Sequence, residues 1–404
     1  MTRRHMVAIG ALAALAIAAC GSSNDSSGSP AASAAANGPA TGTPYQVGFT
    51  SDLSAQFAAN GTGLRNGFQA YFDYLNNHGG ISNHPVNVTV LDDAAKTDRA
   101  LANVTQLVTS NSVSAIAGFL VSNGCGAAAP VAKTNKVPIL CNAVSGDLLS
   151  PVQPYVYTSR GLQVDEARPM LDLAKKLVTG SSKNMAVITL ASAASASLRD
   201  ALKAAGPKDG WTIVADQSVP LTASDVSAQT STVLKGKPDV VVGALHDPLA
   251  ILFMRTLASQ GATNIPFIDY DGATLTALGG LKNPSYYMAS SITVDGNGSG
   301  AALQHYRDVI KADSFDPSGP FLNVGYVQGV IIGEALKACG FPCSGAQLQA
   351  KLDKLNVDTG GITSGPLTFS ATDHEALHAV SFYTWDSATN APKVAAANLK
   401  GGSN

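Results

Sequence analysis

AIAGFLVSNGCGAAAPVAKTNKVPIL, residues 115–140, sets two short apolar runs (115–119 and 137–140) on either side of an alanine-rich helical stretch. Short buried strands joined by a helix are the unit of a parallel sheet, since parallel neighbours need a crossover and are covered on both faces. The unit recurs in both directions. Strand-like runs fall at 46–50, 86–91, 185–190, 212–215, 240–245 and 266–268, with helical stretches between them. This predicts an α/β chain of mostly parallel sheets flanked by helices. The first helix carries an apolar stripe, Leu64, Phe68, Tyr71, Phe72 and Leu75, and stops at Gly79-Gly80, as a core-facing helix does. A later helix is expected over 324–336, and the chain closes with strand-like runs at 366–369 and 379–385.

The N-terminus has a different character. Arg3 and Arg4 precede an apolar run, 7–19, that ends at Cys20. That is a signal peptide's architecture, too short for the roughly 20 residues of a membrane span. Ile17-Ala18-Ala19-Cys20 resembles a lipobox, so residues 1–19 are expected to be removed and Cys20 to carry lipid. Residues 20–43 read as the lipidated cysteine and a flexible linker, because beyond Cys20 they hold small and polar side chains with one charge, Asp25.

The rest is too long for one ordinary core and suits two lobes. A formal net charge of −2 with 13% charged residues gives no basic surface for nucleic acid. Of five cysteines, four remain beyond Cys20, an even number in a chain routed to an oxidising compartment. The short-range pairings Cys125 with Cys141 and Cys339 with Cys343 are favoured, although four cysteines allow three connectivities and the sequence does not choose.

Two enzyme-like patterns fail on context. His374-Glu375-Ala376-Leu377-His378 fits HExxH, which holds zinc when a helix puts both imidazoles on one face. Here it reads as a turn entering a strand, where residues four apart lie about 13 Å from each other, so no metal is expected. Gly61-Thr62-Gly63-Leu64-Arg65-Asn66-Gly67 looks like a dinucleotide fingerprint, but its third glycine is one place late and it follows the strand too distantly. It reads as a flexible helix start. No cofactor is expected, and the pattern contains no nucleophile elbow or Walker loop.

Polar loops at the carboxyl ends of strands, where open α/β sheets bind ligands, carry the remaining chemistry. They are 51–57, 122–126, 142–146, 190–197 and 245–248. Ser51, Ser122, Asn123, His246 and Asp247 stand in them, with Ser122 and Asn123 expected just ahead of a helix beginning near Gly126. A helix start offers unpaired N–H groups and a positive dipole end to an anion.

The order of these pieces resembles the type I periplasmic solute-binding proteins of ABC importers, in the leucine/isoleucine/valine-binding branch. VGFTSDLSAQFAANG from Val47, HGGISNHPVNVTVLDD from His78, AGFLVSNGCGAAAPVA from Ala117, VPILCNAVS from Val137, DPSGPFLNVGY from Asp316 and GPLTFS from Gly365 carry the likeness. It covers nearly everything from Tyr45 to Trp385. The resemblance implies that Leu120 and Ser122 in one loop, and Ala143 and Ser145 in another, hold a ligand carboxylate and ammonium, with Phe57 covering the ligand side chain. It also implies departures: Ala194 stands where the family has a tyrosine, and Leu249 where it has the glutamate that pairs with an ammonium, leaving Asp247 to supply that charge. Two positions that pair as cysteines in some relatives are Ala95 and Val121.

The expectation is a two-lobed type I periplasmic-binding-protein fold with three hinge crossings, near Gly161, Gly272 and Ser370. Lobe 1 is 44–161 plus 273–370, lobe 2 is 162–272 plus 371–397, and 398–404 is a tail. The expected function is capture of a small polar ligand, an amino acid, amide or related carboxylate, by a monomeric, lipid-anchored, extracytoplasmic protein that delivers it to ABC permease subunits. A ligand-sensing receptor of the same fold is the alternative. An enzyme is not expected.

Overall fold

A computed structural model describes residues 38–142, 144–271, 275–293 and 300–401. The signal peptide, Cys20, Ala143 and Gly272 lie outside the described residues. The apolar runs near the start become β1 (Tyr45–Ser51), β2 (Val86–Asp92), β3 (Ala115–Gly118) and β4 (Ile139–Cys141), and a strand not read from the sequence, β5 (Val156–Thr158), follows them. They form one all-parallel sheet in the order β2-β1-β3-β4-β5. Helices α1 (Ala58–Asn77), α2 (Thr97–Thr109) and α3 (Ser122–Asn135) supply crossovers.

The chain then builds a second sheet from β6 (Asn184–Leu190), β7 (Thr212–Val219), β8 (Val240–Ala244), β9 (Phe267–Asp269) and β10 (Tyr286–Ser290). Its helices are α4 (Ala167–Leu177), α5 (Ala193–Ala205), α6 (Ser227–Lys235), α7 (Asp247–Ser259) and α8 (Leu275–Leu281). It returns to the first lobe with α9 (Ala301–Ala312), α10 (Leu322–Cys339), α11 (Gly345–Leu352) and the small pair β11 (Asn356–Val357) and β12 (Leu367–Thr368). Finally β13 (Ala379–Asp386) and β14 (Ala391–Lys400) complete a seven-stranded sheet, β14-β13-β10-β9-β8-β6-β7.

Each sheet is buried on both faces. In lobe 1, side chains of α1, α9, α10 and α11 cover one face and those of α2 and α3 the other. In lobe 2, α6, α7 and α8 lie over one face and α4 and α5 over the opposite one. The stripe Leu64, Phe68, Tyr71 and Phe72 is core, as its spacing predicts, with Leu75 packed against it. The glycines of 61–67 have a different role from a flexible start: they lie inside α1, where Gly61 lets the Asp52 backbone approach and Gly63 and Gly67 let the start of α10 approach. A Cβ on Gly63 would stand 1.8 Å from the Pro320 carbonyl oxygen, and one on Gly325 would stand 1.9 Å from that of Leu64.

Two expected boundaries move. β10 pairs parallel with β9 and antiparallel with β13, so the second crossing follows Ser290 and does not lie near Gly272. Ala376 and Leu377 pack in the lobe 1 core, so the third crossing falls just after them and not at Ser370. β14 extends through Lys400, which takes 398–400 out of the expected tail. Four strands were missed: β5 and β11 are only three and two residues long, β10 reads YYMAS with no β-branched residue, and β14 is alanine-rich with Pro392 and Lys393 on an exposed edge, the composition that edge strands use against further pairing.

Both favoured cysteine pairs are joined, with Cα–Cα distances of 6.2 Å for Cys125–Cys141 and 5.9 Å for Cys339–Cys343. Cys125 lies in α3 and Cys141 ends β4, the strand that α3 leads into. Closing the 16-residue separation is expected to stabilise lobe 1 by about 3 kcal/mol through the unfolded chain's lost entropy. The double variant Cys125→Ala, Cys141→Ala should lower the urea midpoint accordingly, and an unchanged midpoint would refute that assignment of stability.

Candidate functional site

Arg160, two residues past β5, and Asp271, two residues past β9, form a buried ion pair at 2.9 Å. The carboxyl ends of the two sheets therefore meet. Gln163 adds a second link: its N–H donates to the Val144 carbonyl at 3.0 Å and its Nε2 donates to Ser195 Oγ at 3.2 Å. One residue of the first crossing thus holds the loop after β4 beside the first turn of α5. Loops at these strand ends line the space between the lobes, the place where open sheets take ligands.

On the lobe 1 side, Gly118 (φ 105°) and Phe119 (φ 53°) turn the chain sharply out of β3. The turn is close-packed, since a Cβ on Gly118 would stand 2.2 Å from the Thr50 carbonyl oxygen. Gln328 of α10, fully buried, fixes it from behind: its Oε1 accepts the Gly118 N–H at 3.0 Å and its Nε2 donates to Ser159 Oγ at 3.1 Å. Leu120 and Ser122 are left half-buried and Asn123 exposed. The helix begins at Ser122 rather than near Gly126, so Ser122 and Asn123 belong to its first turn and are not ahead of it. The N-cap residue is Val121, which has no side-chain cap bond. First-turn N–H groups have no acceptor within the helix, and 14 residues of α3 put the positive end of a helix dipole beside the Ser122 hydroxyl.

Ser145 is buried and opens a 3₁₀ turn, Gly146–Leu148. Ser51 is set differently from the expectation. It is fully buried, with its Oγ 2.9 Å from where a Cβ on Gly61 would stand, so it packs beneath α1 rather than in the open space. The organiser of that loop is Asp52, whose carboxylate accepts the N–H groups of Ala55 at 2.7 Å and Phe57 at 2.8 Å. This places Phe57, half-buried, at the head of α1.

On the lobe 2 side, Ser192 caps α5 by accepting the Ser195 N–H at 3.3 Å, and Ala194 stands half-buried in the first turn. His246 and Asp247 start α7, also half-buried. Burial holds the His246 imidazole below its ordinary pKa. The Asp247 charge helps raise Asp269, Tyr270 and Tyr286, which are raised chiefly by their own burial, so it lies at the ends of β8 and β9. Leu249 is 2% exposed and packs in the lobe 2 core.

The carboxylate that does stand at the meeting of the sheets is Asp271. Besides Arg160, it accepts the Ser291 N–H at 2.8 Å and the Ser290 Oγ–H at 3.3 Å, and its own N–H donates to buried Glu166 at 2.8 Å. Tyr270, half-buried beside it, feels the charges of Arg160, Glu166 and Asp247. Sequence reasoning missed Tyr270, Asp271, Arg160, Gln163 and Gln328. The first two were within reach, since Asp269-Tyr270-Asp271 directly follows the apolar run 266–268 and obeys the same strand-end rule as the five loops chosen.

The HExxH histidines part company, as an extended chain requires. His374 stacks on Tyr157 at 4.1 Å between ring centres, with Nδ1 2.8 Å from the Val156 carbonyl. His378 has a different partner, its Nε2 lying 3.2 Å from Asp373. No helix among the described residues is long and apolar enough to cross a membrane.

Comparison with known proteins agrees with this architecture. The chain is 24% identical over 351 residues to the Leu/Ile/Val-binding protein BraC3 of Rhizobium johnstonii, covering 84% of this chain and 91% of that one. Among solved structures, the substrate-binding protein LivJ of Streptococcus pneumoniae, in complex with isoleucine, matches with a TM-score of 0.72 at 22% identity, over 89% of this chain and all (100%) of the other. A solute-binding protein of an ABC transporter from R. palustris, in complex with 4-hydroxybenzoate, matches with a TM-score of 0.74 at 15% identity, over 88% and 96% of the two chains. These likenesses establish the two-lobed type I fold. The family model described as periplasmic binding protein spans residues 44–390, and on that match the chain belongs to the periplasmic binding protein family.

Proposed function

We propose that this protein captures a small carboxylate-bearing solute between its lobes and presents it to the membrane subunits of an ABC importer. The observation that carries the reading is the start of α3 at Ser122, a half-buried helix N-terminus at the meeting of the two sheets. Ser122 and the first-turn N–H groups hold the carboxylate, and Leu120 and Ser145 complete that wall. Phe57 and Tyr270 supply rings for an apolar or aromatic portion, and the small Ala194 leaves room for bulk. Hinge closure then adds the His246 and Asp247 wall and excludes water. The known relatives include proteins whose structures hold isoleucine and 4-hydroxybenzoate, two carboxylates that differ in the amine.

Asp247 decides between these ligand classes. Within this reading an α-ammonium group is met by Asp247, the half-buried acid at the start of α7. Asp247→Asn is expected to weaken binding of isoleucine by more than tenfold while sparing its deamino analogue, because a hydrogen bond to a charged group is worth about 1.5–3 kcal/mol. Calorimetry with the two ligands on both proteins checks this. Equal losses for the pair would remove Asp247 from ammonium recognition, and failure of both ligands to bind wild type would remove carboxylate capture of this kind.

The protein is held at the outer face of the cell membrane by lipid on Cys20; the tether ends short of the expected residue 43, since the Ala40 and Gly42 N–H groups donate to the lobe 1 carbonyls of Asn76 and Asn83, each at 2.8 Å. Cys20→Ala should release it from the membrane fraction. Intact-mass analysis of the wild-type protein showing Met1 retained and no acyl group would contradict the anchor.

A further inference from the structure

We propose that Asp373, Glu375 and His378 form a site for a divalent transition-metal cation of the zinc class, placed at the third crossing between the lobes. One carboxylate oxygen from each acid and one ring nitrogen of His378 lie within 4.8 Å of one another. An ion about 2.0–2.2 Å from each ligand spans that set after small side-chain rotations. His378 Nε2 is 3.2 Å from Asp373 Oδ2, and its Nδ1 is 4.0 Å from Glu375 Oε2. One imidazole with two carboxylates is a donor set for zinc and its neighbours rather than for calcium or magnesium, which take oxygen ligands.

The surroundings give the site a purpose. Glu375 is 6% exposed and held in place, since its Oε1 accepts the Leu162 N–H of the first crossing at 2.7 Å. Two carboxylates thus meet one imidazole where two interlobe segments touch. Asp373 and His378 are half-exposed, which leaves a way in from solvent. This arrangement is not HExxH chemistry, because His374 is stacked on Tyr157. The bound ion ties residues 373–378 to the segment that begins at Leu162 and so stiffens the hinge.

The test is calorimetric titration of the purified, chelator-treated protein with ZnCl2, alongside thermal unfolding with and without the ion. The expected result is one ion per chain and a raised Tm. His378→Ala and Asp373→Asn should each weaken zinc binding at least tenfold and lose the Tm increase, while His305→Ala, an exposed histidine elsewhere, changes neither. Both altered side chains are half-exposed, and the metal-free Tm of each variant reports whether it folds as wild type does. Absence of saturable binding to wild type overturns the proposal, and so does undiminished binding by both site variants.

Discussion

Ser122→Asp is expected to abolish ligand capture, lowering affinity at least 100-fold, while leaving folding stability unchanged or slightly raised. A carboxylate in the first turn of α3 interacts favourably with the helix's positive end, by about 0.3–1 kcal/mol. The same carboxylate occupies the N–H groups proposed to hold the ligand and adds like-charge repulsion. Losing hydrogen bonds worth about 1.5–3 kcal/mol each, with 1.4 kcal/mol for every tenfold, gives the predicted loss. The opposite signs of the two effects separate a lost site from a damaged fold. Calorimetry with isoleucine and with 4-hydroxybenzoate, and urea unfolding of the same samples, measure both. Undiminished affinity in Ser122→Asp would move the carboxylate site away from α3.

Arg160→Ala is the substitution expected to cost most in stability, about 3–5 kcal/mol, because it leaves the Asp271 charge buried without its cation. Arg160 and Asp271 side chains are 6% and 9% exposed, so water cannot replace the missing partner. Glu166, itself buried and raised well above an ordinary carboxyl by that burial with Asp271 adding to it, offers no compensating charge. Pairing Arg160→Met with Asp271→Asn should recover part of the loss, since the carboxamide oxygen still accepts the Ser291 N–H and no unpaired charge remains. Urea midpoints for the single and double variants decide it. A single variant as stable as wild type would show that the ion pair is not what joins the strand ends.

How much of this was legible in the sequence depends on which interactions are local. Strands β1 to β4 of lobe 1 follow from apolar runs separated by helical stretches, because the runs are rich in apolar and β-branched side chains; β5, three residues long, was too short to read. The stripe of α1 and the cysteine pair spanning α3 and β4 are equally local. β10 and β14 were invisible for the opposite reason: one is a five-residue run without β-branched side chains, and the other is an exposed edge whose only sheet partner is β13. The second and third crossings shifted with them, since a crossing can be placed only once every strand is assigned. At the site, strand-end loops pointed to Ser122, Ser145, His246 and Asp247. That Leu249 packs in the lobe 2 core was not legible, because order along the chain cannot tell the outer face of a helix's first turn from the face that joins the core. Arg160, Gln163 and Gln328 act across sequence separations that no local pattern reports; Gln328 reaches Gly118 over 210 positions.

Small-angle scattering on the purified protein tests capture by closure most directly. With saturating carboxylate, isoleucine or 4-hydroxybenzoate according to which binds, the radius of gyration should fall as the lobes close around the ligand. The methyl ester of the same compound, lacking the charge that α3 is proposed to hold, should leave it unchanged at the same concentration. A radius of gyration identical with and without saturating acid, or an equal contraction with the ester, would contradict a carboxylate held between two closing lobes.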